Sequence, residues 1–562
     1  MNMIESAKAQ VRQLTVAAYE KAAAAGLLPA GITAEPAVEI PKDTANGDYT
    51  TTFCLAAAKA MKMNPRQVAQ TLIDHTTLTD SYFTSVEIAG PGFMNFRLGE
   101  KWFADTVSGI ETAGEKYGEN DTLAGRKYMV EFVSANPTGP MHMGNARGGV
   151  LGDTLASVLQ KSGADVWREF YVNDAGNQIH KFAMSIDARY LQLVLGEENV
   201  PFPEDGYQGD YMNDIAKVYV EKYGDTLAQK PLEETLEFFS QETGKMVLGM
   251  IRKDLEDFGV KFDVWFSEKS LYDNGAVEPA MEALKERGYA YEEEGALWFR
   301  STLFGDDKDR VLIRSNGMPT YFTSDVAYLK NKYDRGFERL VYVWGADHHG
   351  YVPRIKSVNK AFGFPDDGIE VLLIQMVNLL RDGKPVQMSK RAGTIVTLRE
   401  IMDEVGRDAA RLFFVIRRCD STVDFDLELA KKASSENPVF YIQYAHARIC
   451  SILRELESRG VAMPSLDELD VSLIADQSEL NLVKAISRFP DEVAKAAAEY
   501  APHRIAYYAN ELAEAFHAFY NSQRVLGVEE NVMKSRILLV EAARVTLRNV
   551  LRLLGVSAPE KM

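Results

Sequence analysis

Apolar residues fall three and four positions apart from Glu5 to Ala25, a spacing that predicts an amphipathic helix stopped by Gly26. Val38-Glu-Ile40 predicts a strand, Asn46-Gly47-Asp48 a turn, and Leu55 to Met63 a helix ended before Asn64-Pro65. Two β-rich runs, Val86 to Ala89 and Phe93 to Leu98, flank Gly90-Pro91-Gly92 and predict a hairpin. Residues 1–110 therefore predict a small α+β domain. Near Gly125 the pattern changes. Lys127 to Val133 predicts a strand that feeds a glycine-rich segment, Val150 to Gln160 a helix, and Val166 to Val172 a second strand. Strand, loop, helix, strand is the start of a parallel α/β domain, expected over 111–400. Residues 185–300 are mostly helical in pattern and acidic, and predict an insertion in that domain. Strand patterns return at Leu340 to Trp344 and Val371 to Ile374. From Ile401 alanine, leucine and arginine recur at helical spacing, punctuated by Pro438, Pro464, Pro490 and Pro502, which predicts an all-α bundle over 401–562. The fold class expected is thus multidomain α/β plus α.

Composition adds boundaries to this picture. The chain has 562 residues, 46% of them hydrophobic, enough for several packed cores and against general disorder. The first residues lack a basic stretch before an apolar one, and no apolar run reaches the length of a membrane span; neither a secretory signal nor a membrane partner is expected. Cys54, Cys419 and Cys450 are too far apart for a CxxC pair, which excludes a disulfide framework and a cysteine-rich zinc site and suits a reducing cytoplasm. The net charge of −18 argues against a protein that coats nucleic acid without selectivity. From Ile401 onward, however, 20 Lys and Arg stand against 24 Asp and Glu, a net of only −4, and Arg411, Arg417 and Arg418 cluster. A local basic patch for RNA remains compatible with that balance.

Two segments carry the candidate chemistry. The first is Ser134-Ala-Asn136-Pro-Thr-Gly-Pro-Met-His142-Met-Gly144-Asn145, placed between a predicted strand and a helix starting near Gly144. A helix N-terminus offers unpaired N–H groups and a positive dipole end to a triphosphate. Gly144 would admit a nucleotide close to the backbone, and His142 could donate to phosphate oxygens as charge develops. The second is Gln387-Met388-Ser389-Lys390-Arg391, followed by Gly393-Thr394, a basic turn with glycine to let it bend. Gly345-Ala-Asp347-His348-His349 follows a predicted strand; adjacent side chains at a strand end point apart and no cysteine accompanies them, so no metal is expected there.

In this order the two segments resemble the ATP-handling signatures of a class I aminoacyl-tRNA synthetase. The first, running into Ala-Arg-Gly-Gly, resembles the HIGH region of the arginyl-tRNA synthetase family, with Asn145 where that family usually has its second His. The second resembles the KMSKS loop, with Gln387 in place of the first Lys and Lys390 as the lysine that neutralises phosphate charge. The resemblance implies a Rossmann-type catalytic domain in which His142, Asn145 and Lys390 are catalytic and His142, Gly144, Asn145, Met388, Ser389 and Lys390 bind ATP. Tyr321-Phe-Thr-Ser-Asp325 resembles the family's arginine-reading segment. Tyr321 and Asp325 then fall on arginine-binding positions near the first turn of a helix capped by Thr323 or Ser324. Glu131 matches a further acidic contact, and Ser134 and Asn136 match residues holding the amino and carboxylate end. A carboxylate suits arginine because guanidinium meets it with two parallel hydrogen bonds.

The segments around Asp408-Ala-Ala-Arg411, Tyr441 to Arg448 and Phe516 to Asn521 resemble the family's helical anticodon-binding domain, and the N-terminal unit resembles its appended domain at the tRNA elbow. The expected activity is ligation of L-arginine to its tRNA through an adenylate, with ATP and Mg2+, no protein-bound zinc, and a cytoplasmic monomer. A class I synthetase for another amino acid and a non-catalytic RNA-binding relative are the alternatives.

Overall fold

The computed structural model describes residues 2–174, 177–386 and 396–562. The N-terminal unit wraps a four-stranded antiparallel sheet, in the order Val38–Glu39, Tyr49–Thr51, Phe93–Leu98, Phe83–Ala89, against three helices. The first of these, Met3–Ala24, begins where the Asn2 side chain accepts from Ile4 and Glu5 N–H. Asn64-Pro65 closes one helix and opens the next, Pro65–His75, with Asn64 as cap and Pro65 at the first position.

Five parallel strands form the central sheet, ordered Ile369–Ile374, Arg339–Gly345, Lys127–Phe132, Asp165–Val172, Val264–Ser267. The chain enters this sheet in its middle, at Lys127–Phe132. It steps to one side for the next strand and returns to the other side at Arg339–Gly345. The crevice beyond the carboxyl ends of these two strands is the topological switch point where open α/β sheets bind ligands. The helix Met143–Lys161 lies on this sheet so closely that a Cβ at Gly152 would stand 2.2 Å from Phe132 Cγ. Glycine at that position is what lets the helix dock.

The stretch 185–300 is helical up to Asp257, through Asn177–Leu195, Tyr211–Tyr223 and Leu232–Asp257. Beyond it the helical expectation is corrected. Val264–Ser267 joins the edge of the central sheet, and Ala290–Glu293, Ala296–Phe299 and Arg310–Ile313 form a three-stranded antiparallel sheet. These strands are short and rich in aromatic and β-branched residues, so the helical spacing around them hides their period of two. The same correction applies after Ile401. Val423–Asp426 is a strand that pairs in parallel with Val377–Arg381, which places part of 401–441 on the catalytic side. The bundle proper follows as Pro438–Ser458, Gln477–Ser487, Phe489–Ala498, His503–Ser522 and Glu530–Leu554, with Pro438 and Pro490 in first turns.

Two buried arginines join these parts. Arg147, on the helix docked against the sheet, donates to the carbonyls of Gln375 (2.6 Å) and Arg418 (2.8 Å). Arg411 donates to the carbonyls of Leu554 and Phe258 and to Asp153 Oδ2 (2.6 Å). Arg411 is thus a joint, fully buried, whereas Arg417 and Arg418 are exposed; the sequence cluster splits into a structural member and two surface members. The N-terminal unit meets the bundle through the Lys484–Asp48 ion pair, and the linker after it through Asn549, which donates to Gly114 O. Among the described residues no helix is long and apolar enough to cross a membrane.

Candidate active site

The middle strand ends at Phe132, and the next two residues, Val133 (φ 67°) and Ser134 (φ 43°), turn through the left-handed region. Neither is glycine, so this backbone is strained, as happens where a site must be held in one geometry. The turn aims Ser134 Oγ at both the Tyr171 N–H (3.1 Å) and Glu131 Oε1 (3.5 Å). Asn136 Nδ2 donates to Gln178 Oε1 (2.7 Å), and Tyr211 closes the loop by donating to Thr138 O (2.7 Å).

The helix that follows starts at Met143 with His142 as its cap. His142 Nδ1 accepts from Gly144 N–H (3.1 Å), which leaves the ring proton on Nε2. Asn145 Oδ1 accepts from His142 N–H (3.3 Å), completing a reciprocal capping box. The Asn145 carboxamide therefore fixes the cap with its oxygen and keeps its NH2 as a donor. Gly144 is exposed at the second helical position, where a helix presents its N–H groups.

Gln387, Met388, Ser389 and Lys390 lie outside the described residues. Their surroundings are described on both sides. Gln375 is held by Arg147, and Thr397 makes an antiparallel bridge with His142, with Leu398 N–H donating to Met141 O (2.8 Å). The chain leaving the second segment is thus bonded to the cap of the first.

Across the crevice the helix Tyr321–Asp334 carries Tyr321 and Asp325. Its cap is Thr320, and Thr323, buried at the third position, reciprocates; Ser324 lies inside the helix. The cap expected at Thr323 or Ser324 is therefore corrected by three to four residues, because Thr320 Oγ1 is anchored to Val311 O (2.8 Å). Tyr321 is 56% exposed at the helix start, one turn before Asp325. Asp325 accepts a hydrogen bond from the Tyr351 hydroxyl. Burial pushes the Asp325 carboxyl up to about 7, the nearby charges of Glu268 and Glu131 add to the rise, and Tyr351 and Lys332 oppose it.

Glu268, which the sequence reading did not single out, is buried here and accepts from Ser324 Oγ (2.7 Å). Burial raises its carboxyl, with the Ser324 and Tyr171 hydroxyls pulling it back. Its one sequence signal is an acid directly after a short strand, Val264–Ser267, which itself went unread. Lys332, also missed, is buried and ion-paired with Glu131. Its signal was present: Tyr321, Asp325, Tyr328 and Lys332 recur at four-three-four spacing, which puts the lysine on the helix face that carries Asp325.

Glu131, Ser134, Asn136, His142, Gly144, Asn145 and Asp325 thus gather at the carboxyl end of the central sheet, on both sides of the switch point. One wall is rich in hydrogen-bond donors and carries no carboxylate of its own within the cap. The other holds Asp325 with Glu268 and Glu131 close enough for their charges to raise its carboxyl and with Lys332 opposing that rise, an arrangement that favours a cationic guest. His348 and His349 lie at the end of the Arg339–Gly345 strand on a short 3-10 turn, where His349 Nδ1 contacts Ala346 O (3.1 Å). Among the described residues no group of three or more His, Cys, Asp or Glu could hold a metal ion.

Comparison with known proteins agrees with this geometry. Residues 9–98 match the family model of the arginyl tRNA synthetase N-terminal domain, 106–449 that of the tRNA synthetases class I (R) catalytic domain, and 442–562 that of the DALR anticodon-binding domain. An arginine–tRNA ligase of Acetivibrio thermocellus is 47% identical over 562 residues and is covered, like this chain, to 100%. One of Desulforudis audaxviator is 51% identical over 526 residues, 93% of each chain. Among solved structures, the arginyl-tRNA synthetase of Thermus thermophilus has the same fold, with a TM-score of 0.72 at 21% identity over 98% of this chain and 100% of that one. With its catalytic match spanning more than half its length and full-length relatives at this identity, the chain belongs to the arginine–tRNA ligase family of class I aminoacyl-tRNA synthetases.

Proposed function

We propose that the chain ligates L-arginine to its tRNA in two steps. A carboxylate oxygen of arginine attacks the α-phosphorus of ATP, the bond to the β-phosphate oxygen breaks, and pyrophosphate leaves. A hydroxyl of the terminal tRNA ribose then attacks the acyl carbon of arginyl-adenylate, releasing AMP and a proton. No covalent bond to the protein forms, so positioning and charge stabilisation carry the rate. The observation that carries this reading is the grouping of Asp325, Glu268 and Glu131, whose charges act on one another, in the same α/β domain as the His142-capped helix.

In this reading the guanidinium lies between Asp325 and Glu268, with Tyr321 at the rim. Glu131, Ser134 and Asn136 take the amino and carboxylate end. His142 Nε2–H and the Asn145 amide donate to the ATP phosphates, Gly144, having no side chain, admits them close to the backbone, and Met388, Ser389 and Lys390 complete the ATP contacts. Mg2+ accompanies the triphosphate. The cap offers donors, which suit phosphate oxygens, and Mg2+ keeps much of its water and needs few protein ligands. On the bundle, a cavity of about 270 Å3 is lined by Phe440, Tyr441, Tyr444, Arg448, His517 and Asn521, and Arg448 lies 4.5 Å over the Tyr444 ring and 4.6 Å over that of Tyr520. Stacked rings with a guanidinium suit an unpaired base; Arg411 and Phe516, fully buried, belong to the interior instead. The N-terminal unit, residues 1–110, is read as the tRNA-elbow contact, 111–400 as the catalytic part, and 401–562 as the anticodon-reading part with 401–441 as its stem. The reading is completed by a cytoplasmic monomer.

Aminoacylation of bulk tRNA with each amino acid in turn tests this. Arginine alone should be charged. Charging with another amino acid would point to a different class I specificity, and no charging to an RNA-binding relative without activity. Within the pocket, Glu268→Gln keeps the Ser324 hydrogen bond but removes a charge facing the guanidinium. The arginine KM should rise by about 10- to 100-fold while the ATP KM stays within a few-fold. An unchanged arginine KM would place the guanidinium elsewhere.

A further inference from the structure

Lys332 is an odd residue to bury. Its side chain is 1% exposed and its ammonium pairs with Glu131 while lying 4.1 Å over each of the Tyr328 and Tyr342 rings. A buried ion pair is weak support for a fold, since removing two ions from water offsets most of their attraction and an apolar pair often serves as well. The placement points to a different use. In the sheet register Glu131 stands beside Tyr342 on one neighbouring strand and Glu169 on the other, and Lys332 reaches into this level from the helix above. One Glu131 oxygen, Oε2, is taken by Lys332. The other, Oε1, makes among the described residues the long 3.5 Å contact with Ser134 Oγ, at the strained turn that follows the strand. A carboxylate paired on its inner side and lightly engaged on its outer side is suited to meet an ammonium.

We propose that Lys332 is a positioning residue for the amino-acid substrate: it holds Glu131 as a carboxylate aimed at the α-ammonium, from the same helix that presents Asp325 to the guanidinium. The inference rests on the pocket reading given above. Tyr321, Asp325, Tyr328 and Lys332 share one helix face, so a single rigid element sets the distance between the two acidic ends that a bound arginine must span. The groups around the pair are accounted for on each packed element. Glu169, on the adjacent strand, is bonded to Arg335 and to the Tyr328 hydroxyl, and its charge also favours the Lys332 ammonium. Tyr342 contributes a ring face from the other strand. Asp325 lies further along the helix and also feels the Lys332 charge.

Without Lys332, the buried Glu131 carboxyl loses its ion-pair partner. Lys332→Met should therefore raise the arginine KM by about 10- to 100-fold relative to the unchanged protein. The kcat and the ATP KM should stay within a few-fold. In a Glu131→Gln background, Lys332→Met should add less than about twofold, because its effect passes through Glu131. Lys332→Gln, which can bond Glu131 without neutralising it, should behave as Lys332→Met does and serves if the latter does not fold. A full additional effect on top of Glu131→Gln would overturn the proposal, because Lys332 would then act through Asp325 or through the fold. An arginine KM unchanged in Glu131→Gln itself would overturn the reading of Glu131 as a substrate contact and the proposal with it. A raised KM in Glu131→Gln beside an unchanged one in Lys332→Met would overturn the proposal alone.

Discussion

Asp325→Asn should lower kcat/KM for arginine by about 30- to 5,000-fold, the 2 to 5 kcal/mol expected when one partner of a desolvated charge pair is removed. The amide keeps the size of the side chain and can still accept from Tyr351, so the fold should hold. What it loses is the charge that a guanidinium needs. The same carboxyl predicts a pH dependence whose sign follows from its environment. Its folded-state value, about 7, is above that of a free aspartate, so the empty protein binds a proton there that the unfolded chain releases. The stability this proton contributes is complete below the unfolded value and is lost as pH rises through about 7. Arginine needs the ionised form, so its KM should fall as pH rises through the same range. In thermal melts arginine should stabilise the protein more at about pH 8 than at about pH 6, and Asp325→Asn should flatten that difference. An unchanged arginine KM in the variant would place the specificity carboxylate elsewhere.

How much of this was legible in the chain depended on range. The first helix was readable because its causes are local, apolar spacing up to a stopping Gly26, whereas Asn64-Pro65, read as the end of one helix, also caps and opens the next. The middle strand, the His142 turn and the helix after it were readable because a β-rich run, a glycine- and proline-rich turn and a helical run follow one another. Glu268 was not readable. It acquires its meaning from Ser324, 56 residues away, and from a four-residue strand whose period of two is too short to register. Val423–Asp426 was hidden for a related reason: its partner, Val377–Arg381, lies across the second signature, and helical neighbours dominate its surroundings. Arg411 misled because charge density along a sequence does not tell a surface patch from a buried guanidinium shared among Leu554, Phe258 and Asp153. Asn145 shows the converse. It departs from the family signature, yet its oxygen holds the helix cap while its amide stays a donor.

Lys390→Ala should reduce kcat by about 100-fold, equivalent to roughly 3 kcal/mol of transition-state stabilisation, with little change in the arginine KM. Lys390 lies outside the described residues, but residues that follow it in the chain are bonded to the first signature. Thr397, seven residues on, is bridged to His142, and Leu398 is bonded to Met141, so the second signature leaves the site beside the first. When the α-phosphorus is attacked, negative charge grows on the departing pyrophosphate. In this protein the neutral donors are the Asn145 amide and His142 Nε2–H, since the Gly144 N–H is already given to His142 Nδ1. Neutral donors orient phosphate oxygens, but neutralising the leaving charge calls for a cation, and with Gln387 in the first lysine position Lys390 is the one in the motif core. If both signatures act on the same phosphates, His142→Ala and Lys390→Ala should be non-additive, the double variant losing less than the product of the single losses. Full multiplicativity would mean that they serve separate steps. Activity within a few-fold of the unchanged protein in Lys390→Ala would mean that another cation reaches the pyrophosphate, and Arg391, next in the chain, would then be the residue to replace.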